Sequence, residues 1–115
     1  MDKTHSYHHG NLRNELIERA IAIVNDEGEQ ALSIRKVAGA CGVSYAAPYA
    51  HFKNKEQLLL ACREYVSKQF ADFLSNSIAG KDITDPETLT ILGNAYIEFF
   101  VHNPVYYNFI YNSKE

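Results

Sequence analysis

The stretch Ser33 to Lys55, SIRKVAGACGVSYAAPYAHFKNK, decides the fold. The Ser33 hydroxyl can accept a hydrogen bond from the free amides of a helix start. Ile34, Val37, Ala38 and Cys41 then recur at three- and four-residue spacing, which gives a short helix one apolar face. Gly42 stands where a left-handed residue would end that helix, Val43 supplies an apolar plug, and Ser44 can cap a second helix beginning at Tyr45. Ala38 is small where two helices crossing steeply over a short turn must approach closely, which is the geometry of a helix-turn-helix. Pro48 disturbs the second helix, because it has no N–H to offer the Ser44 carbonyl four residues earlier. That helix is therefore expected with soft edges, opened by a tighter first turn or begun a residue or two late.

Working outward, residues 1–10 are polar and histidine-rich and read as a flexible arm. Leu12, Leu16, Ala20, Ile23 and Val24, widened by Ile17 and Ile21, mark a supporting helix that Gly28 ends. Downstream, Asn54 can cap a further helix, with Gln57 three residues later in a capping-box-like pattern. Leu58, Leu59, Cys62, Tyr65, Val66, Phe70, Phe73 and Ile78 keep a helical period over a long element that ends near Gly80. Asp85-Pro86-Glu87 is a helix start with a cap, a proline and a first-turn acid; Leu89, Leu92, Tyr96, Phe99 and Phe100 line the apolar side that follows. Asn103-Pro104 repeats the start signal for a last helix with Tyr107, Ile110 and Tyr111. No strand alternation or internal repeat occurs, so the class is all-α.

With those elements in place, Tyr49, His51, Phe52, Lys55, Leu58 and Leu59 form the pattern YxHFxxKExLL, and Tyr7 to Arg13 reads YHHGNLR. Over residues 7–62 the chain resembles the amino-terminal domain of TetR-family transcriptional regulators. The resemblance implies a three-helix, helix-turn-helix DNA-binding head over residues 11–54, joined by a long fourth helix to a partial regulatory domain over residues 55–115. Relatives of this kind normally continue with helices that enclose an effector and form the dimer interface. A chain of 115 residues has no room for them, so it is expected to be cut short or naturally shortened.

Charge argues mildly against nucleic acid, since the formal net value is −3. Residues 1–60 nonetheless carry seven basic and seven acidic side chains, so the deficit lies wholly in the remainder. His5, His8, His9 and His51 also fall in this first half and can gain charge beside phosphate. The expectation is a weakly basic face with marked salt sensitivity. Cys41 and Cys62 sit at apolar helical positions without CxxC spacing or a signal peptide, which predicts free thiols in a reducing cytoplasm. No apolar run reaches membrane-spanning length, so no membrane partner is expected.

In helix-turn-helix proteins the start of the second helix touches base edges while flanking groups hold phosphates. Tyr45, Ala46 and Ala47 occupy that start. The alanines offer only methyls, suited to thymine, which leaves Tyr45 and Arg35 to discriminate sequence, with DNA shape as a further contributor. By the resemblance, Tyr49, His51 and Lys55 fall at phosphate-contacting positions. Ser33 and Ser44 can add hydroxyl or amide contacts, and Lys53 another cation. The bland alternatives are a core aromatic for Tyr49 and a solvated surface for the lysines, while Phe52 reads as a core wedge rather than a contact.

Seven of the fourteen aromatics lie between Tyr96 and Tyr111. Tyr96, Phe99, Phe100, Tyr107 and Tyr111 could line a pocket for a lipophilic effector, and plain core packing is the competing reading. His5, His8 and His9 lack a cysteine or acid at ligand spacing, so no metal or other cofactor is expected; an arm lying along DNA or in solvent is. No catalytic frame is present, and no enzymatic activity is expected. The function these readings support is a sequence-specific regulator, a ligand-responsive repressor binding a double-stranded operator as a homodimer. A helical protein-interaction module without DNA binding is the rival reading.

Overall fold

The computed structural model describes residues 2–112, and side chains over residues 11–111. The described chain is all-α, as expected, and forms no strand. Five helices follow one another: α1 (Asp2–Glu27), α2 (Ile34–Cys41), α3 (Lys55–Ser77), α4 (Pro86–His102) and α5 (Pro104–Asn112). Two 3-10 turns, Glu29–Ala31 and Ala47–Ala50, sit on either side of α2. None of the helices is long and apolar enough to cross a membrane.

The helix boundaries follow local chemistry. Gly28 closes α1 at φ 94, a value that favours glycine, after donating its amide to the Val24 carbonyl. Ser33 caps α2 by accepting from the Lys36 amide at 3.0 Å. Gly42 ends it in the left-handed region at φ 73, and the Val43 amide reaches back to the Ala38 carbonyl at 3.1 Å. Asn54 caps α3 through the Gln57 amide at 2.8 Å, while the Gln57 side chain accepts from the Lys53 amide rather than from that of the cap residue. Asp85 caps α4 through the Glu87 amide.

Two expectations at helix starts change. Asn103 does not cap α5 with its side chain, which instead donates to the Phe99 carbonyl at 2.7 Å and so closes α4. Its backbone carbonyl, accepting from Tyr106 and Tyr107, opens α5. Residues 1–10 are expected as an arm, yet helical backbone extends from Asp2 into α1. Asn11, at φ −133 and ψ 28, breaks the helix there, so the supporting helix proper begins at Leu12, where the apolar spacing begins.

The head packs α1, α2 and the first half of α3 around Leu16, Ile17, Ile21, Val37, Leu58, Cys62 and Val66. Phe109 of α5 enters the same core and is only 1% exposed, so this core draws side chains from both sides of residue 54. Further along α3, Phe70 and Phe73 meet α4 in an aromatic cluster, with Phe70 5.3 Å from Phe99 and 5.2 Å from Phe100 between ring centres. With 23 residues α3 is about 35 Å long, enough to belong to both cores.

Candidate nucleic-acid interface

After Gly42, Ser44 holds the next segment through its hydroxyl and its carbonyl, both of which accept from the Ala47 amide. A second α-helix does not form. Ala47 bonds back to Ser44, Tyr49 to Ala46 and His51 to Pro48, each three residues apart, and the result is the 3-10 turn Ala47–Ala50. The reason is Pro48, which cannot donate to Ser44, so the segment tightens over its whole length rather than only at its start. Pro48 is also among the fully buried side chains, which anchors the turn to the core. The second helix expected from Tyr45 is thus a short 3-10 turn.

Every candidate contact residue reaches the surface of this region. Ser33, Arg35, Ser44, Tyr45, Ala46, Tyr49, His51 and Lys53 are exposed, and Ala47 and Lys55 are half-buried. Tyr49 is 55% exposed and so is not a core aromatic, whereas Phe52 at 2% is the core wedge expected of it. Among the described residues the ion pairs are Lys36–Glu27 and Lys68–Asp72, so Arg35, Lys53 and Lys55 keep their charges free. Arg35 instead lies over the Tyr45 ring, its Cζ 4.2 Å from the ring centre.

One residue at this face carries no sequence signal of its role. Arg13, just after the break at Asn11 in α1, covers the Phe52 ring at 5.2 Å, which brings a fourth cation beside the segment that carries His51 and Lys53. It stands in the YHHGNLR stretch, but only the packing of α1 across the end of the turn brings it there.

The two thiols take no part. Cys41 donates weakly to the Glu15 carbonyl at 3.7 Å and Cys62 to that of Ile17 at 3.8 Å. Burial pushes both up, Cys62 to about 12, so they stay protonated and act as small apolar groups. They are free thiols, as expected.

The aromatic residues proposed from sequence do come together, but not around a closed cavity. Phe99 is buried between α3 and α4, while Tyr96, Tyr107 and Tyr111 are exposed. The Tyr96 and Tyr111 hydroxyls lie 3.2 Å apart, and the Tyr107 and Tyr111 rings 4.9 Å. Tyr96, Phe100, Val101, Pro104 and Tyr107 flank an open groove of about 350 Å³. The side chains of His5, His8 and His9 lie outside the described residues. Among the described residues, no three potential metal ligands converge.

A capped helix, a left-handed glycine turn and a short element carrying exposed polar side chains define a helix-turn-helix head. The sequence profile described as bacterial regulatory proteins, tetR family, matches residues 16–62. The uncharacterized HTH-type transcriptional regulator YerO of Bacillus subtilis (strain 168) is 35% identical over 72 residues, covering 60% of this chain and 25% of YerO. The HTH-type transcriptional repressor KstR2 of Mycolicibacterium smegmatis is 36% identical over 62 residues, covering 54% of this chain and 28% of KstR2. A crystal structure of a TetR family transcription regulator from Marinobacter aquaeolei VT8 superimposes with a TM-score of 0.74 at 34% identity, covering 84% of this chain and 50% of that one. Over residues 16–62 the chain thus carries a head of the TetR type, and its fold is that of TetR-family transcription regulators, which are non-enzymatic DNA-binding proteins. It spans about a quarter of the length of YerO and KstR2.

Proposed function

We propose that the chain is the DNA-binding head, with the opening of the regulatory body, of a ligand-responsive repressor that binds a palindromic operator as a homodimer in the cytoplasm. The observation that carries this reading is the unpaired charge at the start of α3. Lys55 is the first residue of that helix and Lys53 stands two residues before it, and among the described residues neither has an acidic partner. A cation at the positive end of a helix opposes the dipole, and an anion beside it reverses the balance. Tyr49, His51, Lys53 and Lys55 would hold phosphates, with Ser33 and Ser44 adding hydroxyl or amide contacts. Arg35, Tyr45, Ala46 and Ala47 would face the bases.

For a symmetric dimer the two heads would lie about 34 Å apart to meet successive major grooves. Tyr96, Phe100 and Tyr107 would contact the effector, with Phe99 packed behind them and Tyr111 against the Tyr96 hydroxyl, and its binding would alter that separation through α3. A groove of about 350 Å³ is within the size range of small-molecule sites. The repressor reading draws support from the name of KstR2.

The test compares the wild-type chain with Lys55→Ala on duplexes that the wild type selects from a random library, titrated across salt concentration. Lys55→Ala should weaken every duplex alike and lower the slope of log affinity against log salt by about 1. A changed base preference with an unchanged slope would refute the phosphate role. Failure to bind any duplex at low salt would favour the helical protein-interaction module.

A further inference from the structure

The 3-10 turn region is poor in groups that can read a base. Tyr45, Ala46, Ala47, Pro48, Tyr49 and Ala50 offer methyls, a buried proline ring and two phenol hydroxyls, but no amide, guanidinium or carboxylate. The nearest strong donor belongs to the preceding helix. Arg35 is the second residue of α2, the helix that crosses the DNA backbone in a helix-turn-helix. Its guanidinium lies over the Tyr45 ring, with Cζ 4.2 Å from the ring centre. Among the described residues no acid takes its charge, in contrast to the neighbouring Lys36, which pairs with Glu27.

We infer that Arg35 and Tyr45 form a single guanine-reading unit, in which Arg35 makes the base contact and Tyr45 is its positioning residue. This rests on the DNA-binding reading above. A guanidinium stacked on an aromatic face keeps its N–H groups in its own plane, pointing past the ring edge. Two of them match the O6 and N7 acceptors of guanine in the major groove, a pairing no other base offers. The stack also holds a long exposed side chain in one orientation before DNA arrives, so less freedom is lost on binding. The reading surface thus gains, from α2, the donor that its own alanines lack. Each half-site should contain one guanine opposite this pair, flanked on the alanine side by positions read through methyl contact or shape.

The experiment uses the whole chain and duplexes that the wild type enriches from a random library at low salt. Affinities are then measured for the enriched duplex, for its base-substituted forms, and for a form carrying 7-deazaguanine at the enriched guanine. The wild type should discriminate against substitution at that guanine by on the order of 10-fold or more, and 7-deazaguanine should forfeit much of the difference. Arg35→Lys keeps the charge but not the fork, and should flatten discrimination at that position alone, with the salt slope unchanged. Tyr45→Phe should retain the preference, whereas Tyr45→Ala should lose most of it. Both side chains are exposed, so these variants should fold, which circular dichroism checks.

If Arg35→Lys keeps the guanine preference, or Arg35→Ala weakens all duplexes equally and lowers the salt slope, Arg35 is a phosphate contact and the inference fails. Loss of preference in Tyr45→Phe would assign the reading to the hydroxyl and overturn the positioning role. If the library yields no enriched duplex, the DNA-binding reading itself fails, and this one with it.

Discussion

Ser33, Gly42, Asn54 and Asp85 each act within three or four residues of their own position, which is why their roles could be read without a structure. Ser33 supplies one side-chain acceptor to the Lys36 amide, and Ser33→Ala should cost about 1 kcal/mol in a urea unfolding curve followed by circular dichroism. Glu18 acts over a far longer range. Its Oε2 accepts from the Tyr65 hydroxyl of α3 and, at 2.8 Å, from that of Tyr106 in α5. Burial first, and then the hydrogen bond to Glu18, push Tyr65 up to about 12. The unfolded chain releases a tyrosine proton near pH 10 while the folded chain keeps this one, so the folded state binds more protons between those values. The stability contribution is therefore complete below about pH 10 and falls as pH rises towards about 12, and Cys62, also held at about 12, adds to the fall from about pH 9 upward. Unfolding midpoints at about pH 9 and about pH 11 should differ more in the wild type than in Tyr65→Phe.

Among the elements, α2 and the 3-10 turn Ala47–Ala50 show where local signals suffice and where they do not. Both have a serine at their start, and both serine hydroxyls accept from the amide three residues on. Only the first goes on to become a helix. Pro48 was legible as a disturbance, since a missing N–H is a property of the residue itself. That the disturbance occupies the whole element depends on the burial of the ring, which holds the turn against the core. Pro48→Ala restores an amide that can bond to the Ser44 carbonyl but empties a fully buried site. The second effect should win, lowering stability by about 1–3 kcal/mol in the same unfolding experiment, without loss of helical signal.

Across the whole molecule the unexpected feature is the reach of α5 into the head. Phe109 lies in the core formed by α1, α2 and α3, and the Asn108 side chain donates to that of Asn25 in α1 at 3.0 Å. Phe109→Ala should cost about 3–5 kcal/mol and lower the stability of the head together with that of the body, as one unfolding transition. Ile97 and Val101 of α4 are 61% and 67% exposed and bury little in this chain. Replacing both with lysine should change unfolding stability by no more than about 0.5 kcal/mol each while reducing the apolar surface available for association, which sedimentation velocity would follow.

The amino-acid order alone determined the all-α class, the caps at Ser33, Asn54 and Asp85, the apolar faces and the family resemblance carried by Tyr49, His51, Phe52 and Lys55. These depend on hydrogen bonds and side-chain spacing inside a single turn or helix, so few residues contain all the information. Only the tertiary structure decided that the second element is a 3-10 turn, that Arg35 rests on Tyr45 and Arg13 on Phe52, that Glu18 joins two tyrosines, and that Phe109 completes the head. Each of these joins side chains whose meeting is set by the direction in which packed helices aim them. Residues ten to ninety positions apart in the chain carry no local trace of that direction.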